Sequence, residues 1–139
     1  MSAKTDEKAL VERLGRIPLF STTTRKQRTT LARLGKTVTW KDGNVGVKEG
    51  NKGVAFFLIL DGAVEVTRGG QVLDQLRPGG FFGETGLLTG APRNADVTAI
   101  DDTNLFVLGR PAFAAAIKSD PDIALRLMAA MAERRPAVA

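Results

Sequence analysis

The chain has 139 residues, 43% of them hydrophobic and 25% charged, which is enough for one domain with a buried core. It contains no cysteine and no histidine. That excludes disulfide frameworks, thiol chemistry, histidine-held zinc or non-haem iron, and any catalytic triad built on an imidazole. A net charge of +5 admits nucleic acid, an anionic membrane or an anionic ligand as partner.

The first residues, MSAKTDEKAL, hold acids and no apolar stretch, so they do not read as a secretory signal. Residues 4–14 predict a helix with Leu10, Val11 and Leu14 as its apolar stripe and Gly15 as its stop. Ile17 precedes Pro18 and is expected to be extended. Ser21 to Thr24 supply capping oxygens for a second helix over 25–34, packed through Leu31 and Leu34 and stopped by Gly35. Its cations Arg25, Lys26, Arg28 and Arg33, with Lys36, form the densest basic group and read as a solvated helix face rather than an interaction patch.

From Lys36 the pattern changes to strand-like runs at 37–40, 45–48, 54–60, 63–68, 71–76, 95–100 and 104–108, separated by turns such as Asp61-Gly62 and Gly69-Gly70. Val64 and Val66 face one way and Glu65 and Thr67 the other, whereas 56–60 is apolar on both faces. Trp40 is expected in the core or at its rim. The longest apolar run, 54–60, is strand-length, far short of the roughly 18 residues of a membrane span, and a cytoplasmic location is expected. After Gly109 the helical period returns. Pro111 opens one helix, Ser119-Asp120-Pro121 breaks it, and a last helix carries Ile123, Leu127, Met128 and Met131 until Pro136 ends it. The expected fold is mainly β: an antiparallel β-barrel or jelly roll of about eight strands, with N-terminal helices and two C-terminal helices. It forms a single domain over 1–139, with helices in 4–34, the barrel in 36–109 and C-terminal helices in 111–135.

Residues 76–99 hold the chemistry. Gly79, Gly80, Gly83, Gly86 and Gly90 are five of the fifteen glycines, and Glu84 and Arg93 are the charged residues between Gly79 and Asn94. A short helix is expected after Gly83, with free N–H groups in its first turn. Arg93 shares its face with Ala95, Val97 and Ala99, so its guanidinium is expected to point inward. A buried guanidinium needs an anion, supplied either by Glu84 or by a ligand. Its planar fork suits a phosphate, and a carboxylate suits sugar hydroxyls.

Phe82 to Leu88, followed by Pro92 to Val97, resembles the phosphate-binding cassette of cyclic nucleotide-binding domains. That family includes the regulatory subunit of cAMP-dependent protein kinase, bacterial catabolite activators and cyclic nucleotide-gated channels. Phe57 to Val66 and Glu49-Gly50 with Gly53 resemble the family's preceding strands and turn, and Asp120 to Leu127 is similar to the start of the lid or dimerisation helix of bacterial activators. The resemblance covers about 17–135. It implies that Glu84 accepts the ribose 2′-hydroxyl, that Arg93 pairs with the cyclic phosphate, and that backbone N–H groups around Gly83, Gly86, Asn94 and Ala95 complete the cradle. Met128 and Met131 are lid candidates over the base, with core packing as the plain alternative. Departures are Thr85 for an apolar residue, Asn94 for a small one, Asp96 for threonine, and the stop at Pro136 before a long dimer helix.

The implied function is a non-enzymatic module that binds a cyclic nucleotide, cAMP with cGMP left open, and signals through its C-terminal helices to an unknown effector protein. No cofactor and no metal are expected. There is no DNA-binding motif after the last helix, and a homodimer through that helix is among the assemblies it allows. The rival reading is a barrel that has lost the nucleotide and serves protein interaction, with Glu84 and Arg93 as a structural ion pair. A cupin-type metalloenzyme lacks its histidines, and DNA binding has only net charge in its favour.

Overall fold

The computed structural model describes residues 3–133. They form a helical unit, made of the residues up to Lys36 and those from Pro111, and a β unit, Thr37–Arg110.

In the helical unit, α1 (Ala3–Gly15) is followed by a 3-10 turn (Pro18–Phe20), α2 (Arg25–Leu34), α4 (Arg110–Ser119) and α5 (Asp122–Glu133), with α3 (Glu84–Thr89) belonging to the β unit. Ile17 is extended, as the following proline requires, at φ −93° and ψ 131°. Val11, Leu14 and Leu31 are buried between α1 and α2. Two expectations fail here. Gly15 lies inside α1 rather than beyond it. Leu34 is 38% exposed, because the last turn of α2 carries it past the packed stripe.

Thr24 caps α2 in a reciprocal box: the Gln27 N–H donates to Thr24 Oγ1 (3.1 Å), and the Thr24 N–H donates to Gln27 Oε1 (2.9 Å). The Gln27 amide then donates to Asp120 Oδ2 (3.2 Å) and Asp122 Oδ2 (2.9 Å) at the start of α5. Arg126 also pairs with Asp122 and reaches the Thr22 carbonyl. The Arg126 and Gln27 hydrogen bonds hold the Asp122 carboxyl below its ordinary value. Much of the basic group is engaged locally: Arg25 on Glu12, Arg33 on Glu7, and Arg28 on the carbonyls of Val11 and Thr23. The end of the last helix at Pro136 lies outside the described residues.

The β unit has eight strands: β1 Lys36–Trp40, β2 Val45–Val47, β3 Phe56–Asp61, β4 Val64–Arg68, β5 Gln71–Leu76, β6 Phe81–Phe82, β7 Asp96–Ala99 and β8 Thr103–Leu108. They make two four-stranded sheets, β1-β8-β3-β6 and β2-β7-β4-β5, the jelly-roll form of the expected architecture. The pairs β2–β7, β3–β6, β3–β8, β4–β5 and β4–β7 are antiparallel.

Alternation sets the core. Ile59, Val64, Val66, Phe82, Ala95, Val97 and Leu105 meet between the sheets. Phe56, Leu58, Leu60, Phe106 and Leu108 lie on the other face and are buried as well, as the doubly apolar run required. Trp40 sits at the rim, half-buried, with its ring 5.4 Å from Phe57 and 6.0 Å from Phe82. The two-residue strand Phe81–Phe82 was not foreseen, being too short to show alternation. It exists because it pairs with β3, Phe57 opposite Phe82 and Leu58 opposite Phe81.

Thr24→Ala removes one half of the capping box and loosens the Gln27 side chain that reaches α5. Denaturant unfolding should show a loss of about 1 kcal/mol; a change within error would mean that the box does not stabilise α2.

Candidate functional site

The site is built where β6 hands the chain to α3. The turn before β6 is clamped to β3 by the Gly79 N–H on the Ile59 carbonyl and the Ile59 N–H on the Gly80 carbonyl, both 2.9 Å. Gly83 then turns the chain at φ 87°, and a Cβ there would come within 2.5 Å of the Ala55 carbonyl oxygen. Hydrogen bonds along α3 start from the Leu87 N–H to the Gly83 carbonyl (3.0 Å), leaving the N–H groups of the first turn outside the helical ladder. Leu87 is buried and anchors the helix, while Thr85 and Leu88 are exposed. Gly90 ends the helix in a left-handed conformation.

Arg93 lies three residues before β7, and its backbone is tied to the β2–β3 loop. Its N–H donates to the Asn51 carbonyl (2.9 Å), and its carbonyl accepts from the Gly50 N–H (2.7 Å). The loop is closed in turn by Asp96, whose Oδ1 accepts the Glu49 N–H (2.7 Å). Asp96 is thus spent on the backbone, facing away from Arg93 as the alternation required. Ala95, Val97 and Ala99 are fully buried, and Arg93 on the same face is 7% exposed.

Its guanidinium threads between glycines: a Cβ on Gly53 would lie 2.7 Å from Nε, and one on Gly86 3.0 Å from Nη1. Nη2 donates to the Ala55 carbonyl (2.8 Å), and Cζ stands 5.9 Å from the centroid of the Phe57 ring. Glu84 is 8% exposed at the start of α3. The two charges do not satisfy each other: Glu84 Oε2 and Arg93 Nη1 are both buried without a hydrogen-bond partner. Burial pushes the Glu84 carboxyl above its ordinary value, against the pull of its own backbone N–H and of Arg93. Burial also lowers Arg93, against the opposing effect of Glu84, but a guanidinium remains charged.

A cleft of about 270 Å³ opens beside Arg93, bounded by Val47, Lys48, Lys52, Gly53 and Phe57. Its charged lining residues are all cationic, and its size is near the low end for small-molecule sites, roughly 300–1,000 Å³. Asn94 is exposed, with its carbonyl accepting from Arg68 Nε (2.8 Å).

The fold therefore brings Gly83, Glu84 and Gly86 up to the Arg93 guanidinium, while Asn94 and Ala95 follow Arg93 in the chain, the first exposed and the second buried in the core. Met128 and Met131 are on α5 in the helical unit, the first 49% exposed and the second half-buried. Sequence reasoning missed Gly50, Asn51, Ala55 and Arg68 as supports of Arg93 and Asn94. Three of these act through backbone atoms and carry no side-chain signal. Among the described residues there is no cluster of three or more metal-ligating side chains, and no helix is long and apolar enough to cross a membrane.

The family profile described as Cyclic nucleotide-binding domain matches residues 37–120, which span the jelly roll and α4. The chain belongs to the cyclic nucleotide-binding domain family. Similar proteins include the cAMP-dependent protein kinase regulatory subunits of Pyricularia oryzae, 35% identical over 72% of this chain and 26% of that protein, and of Dictyostelium discoideum, 37% identical over 63% and 29%. The chain spans about a quarter of the length of these curated relatives.

Among solved structures it resembles the N-terminal domain of a Streptomyces coelicolor transcriptional regulator. The TM-score is 0.78 and the identity 28%, covering 88% of this chain and 91% of that one. It also resembles the Thermus thermophilus catabolite activator protein, with a TM-score of 0.75 and 30% identity, covering 84% and 57%. The regulatory domain of Toxoplasma gondii protein kinase A, solved with cAMP, matches at a TM-score of 0.72 and 26% identity, covering 86% and 47%. The cyclic nucleotide-binding fold expected from the cassette is thus the fold observed.

Because burial raises Glu84, the ligand-free protein gains stability from its protonated form. That contribution is complete below the ordinary carboxylate range and is lost as pH rises through the raised value. Glu84→Gln should therefore melt higher than wild type at neutral pH, with the advantage disappearing in acid. A constant offset at every pH in thermal melts would show that Glu84 is not destabilised by burial.

Proposed function

We propose that this domain is a non-enzymatic cyclic nucleotide sensor with cAMP as its ligand. The observation that carries the reading is the pair of unsatisfied buried atoms, Arg93 Nη1 and Glu84 Oε2, within one constellation. One needs an acceptor with negative charge, the other a hydrogen-bond donor, and a phosphate fused to a ribose offers both. Arg93 binds the cyclic phosphate, with the cationic cleft drawing the anion in. Glu84, as a carboxylate, accepts the ribose 2′-hydroxyl. The N–H groups of Gly83, Gly86 and Ala95 line the phosphate, and Asn94 links the last of these to Arg93.

The rival reading, a structural ion pair in a module that has lost its ligand, would have Glu84 and Arg93 closed on each other. Their orphaned atoms speak against it. The relatives support cAMP: several are regulatory subunits of cAMP-dependent protein kinases, although a cGMP-dependent protein kinase of Toxoplasma gondii is 32% identical over 70% of this chain. The module acts as one domain in the cytoplasm. Its output runs through α4 and α5 to an effector protein or a second copy, for which exposed Leu125 and Met128 on α5 offer an apolar face, with Met131 beside them. Such an output requires two conformations of the helices that bind the nucleotide with different affinity.

Calorimetric titration with cAMP and cGMP should show saturable binding by the wild type. Arg93→Ala should weaken it by about 2–3 kcal/mol, the loss expected for a charge-assisted pair in a buried site. Absence of heat and of a thermal shift with either nucleotide would sink the sensor reading, and unchanged affinity in Arg93→Ala would remove Arg93 from the site.

A further inference from the structure

Arg68 ends β4 on the face that Val64 and Val66 turn to the core. The β4–β7 register pairs Val66 with Val97 and Thr67 with Asp96, so its continuation sets Arg68 across from Ala95. There its Nε donates to the Asn94 carbonyl at 2.8 Å. Two peptides flank Asn94, and each is held by its oxygen from opposite sides of the strand. The Gly50 N–H grips the Arg93 carbonyl at 2.7 Å from the loop that follows β2, and Arg68 grips the Asn94 carbonyl from β4. No peptide bond is cis among the described residues, so each N–H points opposite to its own carbonyl.

The Asn94 N–H is therefore directed toward β4, beside the Arg68 guanidinium. The Ala95 N–H is directed toward β2, whose following loop supplies Lys48, Lys52 and Gly53 to the cleft. A charged donor on a carbonyl also polarises the peptide and strengthens its N–H as a donor.

We propose that Arg68 is a positioning residue of the anion site, fixing the orientation and donor strength of the peptide between Asn94 and Ala95 while adding a cation beside the Asn94 N–H. This rests on the cyclic nucleotide reading of the site. Arg68 is exposed, so its removal leaves no buried charge unpaired, and its effect falls on the two amides rather than on the fold.

The test is calorimetric titration of the full chain with cAMP and cGMP in wild type, Arg68→Ala, Arg68→Gln and Arg68→Lys, with ¹H–¹⁵N spectra of the ligand-free proteins. Arg68→Ala should weaken binding by about three- to tenfold, less than a buried charge-assisted bond because the contact is exposed. It should also shift the Ala95 amide proton upfield. Arg68→Lys, which keeps the charge and a donor, should restore most of the affinity, and Arg68→Gln, which keeps only a donor, should restore less. If the wild type binds and Arg68→Ala binds within about twofold of it, or lowers only the melting temperature, Arg68 has no part in the site. If the wild type itself is silent to both nucleotides, the cyclic nucleotide reading falls first and the role of Arg68 falls with it.

Discussion

A guanidinium inside a β-sandwich is the constraint around which this domain is arranged. Arg93 is held by its backbone, not by a counter-charge. The loop after β2 takes both its N–H and its carbonyl, and Asp96 closes that loop by accepting the Glu49 N–H. Around the side chain the structure makes room with glycines at 53, 83 and 86, each placed where a Cβ would strike Arg93 itself. The positive charge is thereby kept in position at a cost that one neutral carbonyl, Ala55, only partly offsets. A buried cation so incompletely compensated favours an anion beside it.

The packing behind Arg93 follows from the same need. A cation that stays in place must rest on something that does not move, and here it rests on aromatic rings. Phe57 lies under the guanidinium and stacks on Phe82 with centroids 4.8 Å apart and planes 9° from parallel. Phe82 belongs to the two-residue strand that the glycine turn delivers, and Gly83 follows it directly into α3. Glu84 and Arg93 thus approach from two elements that meet at the same ring pair. The jelly roll supplies the geometry: β3 and β6 are neighbours in one sheet, while Arg93 leads into β7 of the other.

Much of this was legible in the sequence. The two-residue period of Arg93, Ala95, Val97 and Ala99 was enough to turn the arginine inward, because alternation is a local property of an extended chain. The alternation of Val64 and Val66, the proline after Ile17 and the threonines before α2 were legible for the same reason. Partners across strands were not. The contact of Arg68 with Asn94 depends on the register of β4 against β7, which turn lengths constrain only weakly. The Gly50 and Asn51 clamps use backbone atoms that every residue type possesses. Phe81–Phe82 is a strand only because β3 lies beside it, and Leu34 has the right period but falls one turn beyond the surface it was meant to cover. Sequence pattern assigns faces, whereas register and neighbours require the folded chain.

The rim residue Trp40 has one more consequence. The chain has a single tryptophan and no tyrosine, so its near-ultraviolet emission comes from one indole. That indole packs against Phe57, the ring beneath the guanidinium and in the wall of the cleft. Any repacking of the ring under Arg93 alters the surroundings of the only fluorophore. The domain therefore carries an optical reporter of its own cleft, readable in unlabelled protein.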